Sequence, residues 1–336
     1  MKKLYSLLAT LAFTALLAPA AKCQVDPHTS QYYMYPLYLN PAMAGLINGD
    51  YRVAATYRNQ WASITDAFST TGLTADINTD KNMNFGVNIL NQSAGDAGYN
   101  YLTGYASLAY TGLRFGKGEY QRISLGMQVG FINRRVNASK FKFGDQWNPI
   151  TGYNPGNATG DVLKTSNVSS FDAGAGAFYY DATPDKKVNF YGGVAVFHLT
   201  KPKDPFLVSG DGAVIPMRYS VHAGANVKLS SSVSMVPNVL YMKQGTAEEK
   251  MAGAYFQLKA SDQVDVLAGA NYRFDDAVTP FAGITYNGLT LGLSYDANTS
   301  KLGNQVKNAN SFEFTLSFIK KNPAKVEKGY LQCGRL

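Results

Sequence analysis

The chain has 336 residues, a formal charge of +8 and a mean hydropathy of −0.17. Beyond its first two dozen residues no run approaches the roughly 20 apolar residues of a membrane helix, which excludes a helical membrane protein. The basicity sits at the two ends. Residues 1–23 hold Lys2, Lys3 and Lys22 with no acid, and the stretch after Phe318 holds Lys320, Lys321, Lys325, Lys328 and Arg335 against Glu327. What remains carries +1, too little for the basic face of a nucleic-acid groove, so no nucleic acid is expected as a partner.

In chain order, a basic start, an apolar run from Leu4 to Leu17 and the small residues around Ala18 to Ala21 predict a secretory signal peptide over 1–23. Cleavage after Ala20 and after Cys23 both fit. Lys22 stands where a lipoprotein signal wants a small residue, which argues against lipidation of Cys23. Cys23 and Cys333 are the only cysteines, so no disulfide framework is expected.

Residues 24–49 form the next unit. From Gln31 to Gly45 they are too apolar and aromatic to hang in water, yet Pro36 and Pro41 break both helix and ladder. Two placements remain open: a partial plug inside the periplasmic mouth of a barrel, or an N-terminal strap with no gating role.

Period-two alternation then takes over. Over 83–89, Met83, Phe85, Val87 and Ile89 oppose Asn84, Gly86 and Asn88; over 289–296, Leu289, Leu291, Leu293 and Tyr295 oppose Thr290, Gly292, Ser294 and Asp296. A slip of one residue would turn every polar group into lipid, so each register is strongly specified. Strands are expected over 50–58, 68–78, 82–92, 100–115, 119–134, 168–180, 187–199, 216–229, 232–243, 249–259, 263–274, 277–287, 289–297 and 310–319. The connections sort by parity. Even strands are followed by short turns, down to the bare pair Asn287-Gly288, a strong hairpin signal. Odd strands are followed by longer loops over 59–67, 93–99, 135–167, 200–215, 244–248 and 298–309, with only Asp275-Asp276 short. A soluble sandwich has no reason to sort its loops this way. The fold class expected is therefore all-β: an antiparallel up-and-down transmembrane barrel of about fourteen strands over 50–319, with an N-terminal strap or plug. An aromatic content of 13%, dominated by 23 Tyr and 18 Phe, suits the girdles of such a barrel. An even strand count puts both termini, including a basic tail over 320–336, on the periplasmic side. Inward-facing residues such as Arg52, Arg58, Asn88, Asp265, Arg273 and Glu313 are mixed in sign, so pairing across the lumen is expected rather than a selective pore.

Little in the sequence points to chemistry. His28, His198 and His222 lie at no ligand spacing with Cys, Asp or Glu, so neither a metal nor a cofactor is expected. No nucleophile elbow and no phosphate-binding loop occur. A hydrolase with Ser and His on neighbouring strands needs no local motif and stays open as a lesser alternative; a passive porin is the nearer one.

Two motifs carry a resemblance. The first includes Gln31, Tyr32, Tyr35 and Pro36 and ends in Asn40-Pro41-Ala42-Met43-Ala44-Gly45; the second is Tyr57-Arg58-Asn59-Gln60-Trp61 at the first outer loop. Together with Ser311-Phe312-Glu313-Phe314 in the last strand and the short tail with Cys333, they resemble the PorP/SprF family of the type IX secretion and gliding apparatus of Bacteroidetes-type bacteria. The resemblance implies a non-enzymatic outer-membrane barrel, in contact with outer-membrane lipid, that assists secretion or surface anchoring of cargo with a C-terminal sorting domain. It implies a periplasmic ring lipoprotein and other machinery subunits as partners, and it brings no catalytic residues. On that reading the loop over 135–167, with Trp147 and Tyr153, meets cargo. Lys320, Lys321, Lys325 and Lys328 dock to an acidic periplasmic surface, and Cys333 is available for an intermolecular disulfide.

Overall fold

A computed structural model describes residues 26–61, 67–95, 98–160, 165–203, 214–300 and 310–321. Fourteen antiparallel strands close into a barrel. They are β1 (Gly49–Gln60), β2 (Phe68–Ile77), β3 (Met83–Ala94), β4 (Tyr99–Phe115), β5 (Gln121–Arg135), β6 (Asn167–Asp181) and β7 (Val188–Phe197). The second half comprises β8 (Arg218–Lys228), β9 (Val233–Gln244), β10 (Ala247–Lys259), β11 (Val264–Arg273), β12 (Ala277–Tyr286), β13 (Leu289–Asn298) and β14 (Ser311–Lys321). Each strand pairs with its neighbours in sequence, and β1 closes on β14 with Tyr57 opposite Phe314 and Arg58 opposite Glu313. The strands expected from alternation are all present, with ends displaced by a few residues.

The alternation decides the two faces. Val87, Ile89, Leu125, Met127, Leu293 and Phe312 point outward and are exposed, whereas Asn88, Ser124, Gln128, Ser294 and Glu313 are buried inside. An apolar exterior and a polar interior are what a barrel in lipid requires. Two expectations about the loops are corrected: the connection read over 93–99 shortens to the four positions between Ala94 and Tyr99, shorter than the 182–187 turn at the other end. Residues 244–248, read as one of the longer connections, are reduced to the two-residue turn Gly245-Thr246, with Gln244 opposite Ala247. Gly245 stands at φ +57, which lets so short a link reverse the chain. Lengths therefore still differ between the two ends, but the difference rests on the connections over 61–67, 136–166, 198–217 and 299–310.

Residues 26–47 lie within the barrel, and every one of them is buried; Asn48, the next residue, is half-buried. The segment folds as three short helical turns, Tyr32–Met34, Pro36–Leu39 and Pro41–Met43. Pro36 and Pro41 each open a turn, where the missing N–H costs nothing. Gly45 meets the short-turn end beside Ile77 and Asn84, while Asp26 meets the long-loop end beside Gln244 and His198. The segment thus runs the length of the lumen rather than staying at one mouth.

The barrel wall is shaped to receive it. A Cβ on Gly126 would lie 2.2 Å from the Ala42 nitrogen, and beside it Ser124 donates to the Ala42 carbonyl at 2.6 Å. At Gly45, φ is +70 and a Cβ would lie 2.5 Å from the Asn84 Cβ, so both backbone and space demand glycine. Gly126→Val should therefore loosen the segment without preventing barrel closure. Amide exchange over 30–45 should accelerate while strand amides keep their protection; unaltered exchange over 30–45 would contradict this seating.

Candidate functional site in the barrel lumen

Three anchors hold the segment. The first, at the short-turn end, joins β1 to β2: Arg52 donates to both oxygens of Asp76 at 2.9 and 3.0 Å, and Asp76 accepts from the Gly45 N–H at 2.8 Å. Arg52 and Asp76 stand directly opposite one another in the ladder. Above this, Asn40 uses both ends of its amide. Its oxygen accepts from the Ala42 N–H at 2.9 Å and its nitrogen donates to the Ala177 carbonyl at 3.0 Å, with His222 Nε2 at 3.4 Å.

The second anchor is a buried ion cluster drawn from four strands. Asp296 accepts from Arg58 and Arg273, each at 2.7 Å, and from Thr279 at 2.9 Å; Glu313 accepts from Arg58 at 3.3 Å. The backbone N–H groups of Ser30 and Gln31 donate to the two oxygens of Glu313 at 2.7 and 2.9 Å. Arg58 also donates to the Ser30 hydroxyl, which lies 2.8 and 2.9 Å from the Asp296 oxygens. The Gln31 amide is fully engaged, accepting from Thr315 at 2.7 Å and donating to Ser294 at 3.0 Å. Two guanidinium groups and two carboxylates thus neutralise one another around Ser30.

The third anchor forms near the long-loop end. His198, just past β7, lies between Asp172 on β6 (Nδ1, 2.8 Å) and Asp26 (Nε2, 2.7 Å). Arg218 reaches Asp26 at 3.4 Å and lies over the rings of Tyr38 and Phe197, at 4.3 and 4.2 Å. Burial disfavours the His198 imidazolium, but the carboxylates of Asp26 and Asp172 outweigh it and push its pKa up to about 9. Burial likewise opposes the Asp26 carboxylate, while His198 and Arg218 hold it well below the ordinary carboxylate range.

Between the anchors, tyrosines fill the space and find partners for their hydroxyls. Tyr32 donates to Asn238 at 2.8 Å, Tyr35 to the Ile89 carbonyl at 2.9 Å and Tyr38 to the Pro27 carbonyl at 2.6 Å. Tyr33 packs its ring against Tyr255 and Phe281, at 5.1 and 5.5 Å.

The sequence-derived site residues divide accordingly. Gln31, Tyr32, Tyr35, Pro36, Asn40, Pro41, Ala42 and Gly45 all lie inside the barrel. In the second motif, Tyr57 is on the outer face, Arg58 is in the ion cluster, Asn59 meets the Tyr57 hydroxyl at 3.5 Å, and Gln60 and Trp61 border the long-loop mouth. Trp147 and Tyr153 pair in a small hairpin of the long loop, rings 5.9 Å apart, with Trp147 and Ile150 exposed. Lys320 and Lys321 end β14, whereas Lys325, Lys328, Cys333 and the two cleavage points lie outside the described residues. Reading the sequence missed Asp26, Asp172, His198, Arg218 and Asp296. No local spacing signals them; for Asp172, Arg218 and Asp296 a place in a strand was the only available hint, and Asp26 and His198 lie off the strands. Among the described residues the polar contacts of the three histidines go to carboxylate, guanidinium or amide groups, not to a hydroxyl.

Two outcomes test this arrangement. Arg58→Ala leaves the buried Glu313 without its cation and should cost about 3–5 kcal/mol in chemical unfolding of the folded barrel; a loss within about 1 kcal/mol would refute the cluster's structural role. His198 binds its proton more tightly in the folded chain. Its contribution is therefore complete below the ordinary pKa of 6.5 and is lost as pH rises through about 9. Exchange protection over 26–30 should fall across that window, and His198→Gln should flatten the pH dependence. A wild-type profile that is already flat would exclude the charged His198 pair.

With this geometry in place, the likeness to known proteins becomes interpretable. Residues 21–318 match a family described as the type IX secretion system membrane protein PorP/SprF. No curated protein matches the chain. Among solved structures, the Pseudomonas putida toluene transporter TodX is 9% identical, with a TM-score of 0.52 over 88% of this chain and 95% of its own. The Ralstonia pickettii toluene transporter TbuX is 8% identical, with a TM-score of 0.50 over 86% and 93%. At such identity these likenesses speak for the barrel fold alone.

Proposed function

The chain belongs to the PorP/SprF family of type IX secretion system membrane proteins, and from that premise we propose that it assists secretion or surface anchoring of cargo carrying a C-terminal sorting domain. It is an outer-membrane β-barrel. The observation that carries the proposal is the family match along nearly the whole barrel, 21–318. The role is non-enzymatic and scaffold-like: the wall supplies a rigid frame, and the loops at its two ends supply contact surfaces. In barrels of this kind long loops face outward and short turns face the periplasm. On that orientation the hairpin carrying Trp147, Ile150 and Tyr153 is offered to cargo, with aromatic and aliphatic side chains of the sort that anchor interfaces. The basic end of the chain, from Lys320 through Lys321, Lys325 and Lys328, is offered to an acidic surface of a periplasmic ring lipoprotein or another machinery subunit. A passive porin would need a water path through the lumen, and residues 26–47 lie across it.

Crosslinking of the tagged protein in outer membranes, followed by mass spectrometry, tests the reading. Secreted proteins sharing a C-terminal sorting domain should be recovered with periplasmic ring lipoproteins. Deleting loop residues 136–166 should remove the cargo and keep the ring proteins. Lysine-to-glutamine replacement at 320, 321, 325 and 328 should do the reverse, most visibly at raised salt. Recovery of the barrel alone, with crosslinking shown to work, would reject the proposal in favour of a pore.

A further inference from the structure

The long-loop mouth contains a cavity of about 490 Å³, within the size range of ligand sites. Its floor is Pro27 and His28 of the threaded segment, and its walls include Trp61, Phe68, Glu249 and Asp275. Five acids border it, Asp26, Glu248, Glu249, Asp275 and Asp276, against two bases, Lys250 and Arg273. Three of the acids are already claimed: Asp26 by His198 and Arg218, Asp276 by Arg273, and Glu248 by Lys250 at 3.0 Å.

Glu249 differs from them. Its side chain is 4% exposed, and neither of its carboxylate oxygens has a hydrogen-bond partner among the described residues. The His28 imidazole stands 3.8 Å from it. Burial, together with the guanidinium groups of Arg273 and Arg58, holds His28 well below its ordinary pKa and so disfavours an imidazolium partner for Glu249. A buried carboxyl group without hydrogen bonds is costly, and each such group calls for an explanation. Glu249 is the third residue beyond the Gly245-Thr246 turn, on the inward face of β10, and it lines the cavity with Pro27 and His28 of the threaded segment. The partner therefore comes from the long-loop side. No group of three or more His, Cys, Asp or Glu among the described residues could hold a metal ion, and a single carboxylate suits an organic cation. Two free oxygens on one carboxylate match the planar fork of a guanidinium, and the rings of Trp61 and Phe68, 5.6 Å apart, give the same cavity an aromatic wall of the kind that guanidinium groups favour.

We propose that this mouth is a guanidinium-binding site, with Glu249 as the acceptor, that captures an arginine side chain of an extended polypeptide presented from the long-loop side. The polypeptide source rests on the secretion reading above; the cation chemistry does not. Occupation supplies the hydrogen-bond donors that Glu249 lacks among the described residues.

Trp61 and Trp147 are the only tryptophans, so a Trp147→Phe background makes Trp61 a reporter inside the cavity. The full chain, folded in nanodiscs, is titrated with acetyl-Gly-Arg-Gly-amide and with its citrulline analogue, which keeps the shape and removes the charge. Calorimetry and Trp61 emission are both read. The arginine peptide should bind saturably, at least about tenfold more tightly than the citrulline peptide, and Glu249→Gln should abolish that difference. Glu249→Gln should fold at least as well as the parent, because it removes a buried carboxyl group that has no hydrogen-bond partner among the described residues. Absence of saturable binding by both readouts, or an arginine preference surviving in Glu249→Gln, overturns the proposal. Spermidine binding as tightly as the peptide overturns the polypeptide source and leaves a free-amine site. Binding is measured on the purified barrel, so failure here is distinct from failure to recover cargo from membranes.

Discussion

The structure depends on how a polar barrel interior disposes of its charges. Alternation forces arginine, aspartate and glutamate side chains inward on neighbouring strands, where each would be costly alone. Arg58, Arg273, Asp296 and Glu313 meet this constraint by converging on Ser30 and Gln31 of the N-terminal segment. The wall alone leaves the Glu313 oxygens short of donors, and the segment alone leaves two backbone N–H groups without acceptors. Each completes the other, and the same logic recurs at Asp76 with Gly45 and at Asp172, His198 and Asp26.

Packing follows from this electrostatic frame. Once Ser30 and Gly45 are fixed, the chain between them must fill the lumen, and tyrosine suits the task. Its ring buries apolar area while its hydroxyl satisfies an inward carbonyl or amide. Gly126 and Gly45 permit the close approach that the anchors impose, and Asn40 caps one turn of the segment while bonding to the wall. The outer surface answers to a separate demand, an apolar band for lipid, and the two faces are coupled only through the strand register.

Much of this was legible in the sequence. The alternation over 83–89 and 289–296, together with the loop lengths, specified strands, faces and closure, because a barrel strand is a local pattern of period two. The motif from Gln31 to Gly45 was visible as too aromatic to be free, and the second motif marked Arg58. Less was legible for the residues that hold the segment in place. His198 and Asp26 are 172 positions apart, and Asp296 lies 266 positions from Ser30. Their meeting depends on which strands face one another across the closed lumen, and no spacing along the chain encodes that.

The sequence by itself therefore determined the barrel, its fourteen strands and which side chains turn inward, since these follow from local alternation and turn chemistry. Only the tertiary structure decided that residues 26–47 run from one mouth to the other, that the inward charges group into three anchors, and that Glu249 is left without a hydrogen-bond partner among the described residues at the outer end. The physical reason is that pairing across a lumen is a property of the closed ring: the same inward carboxylate is satisfied or orphaned according to what the opposite wall and the threaded segment bring within reach.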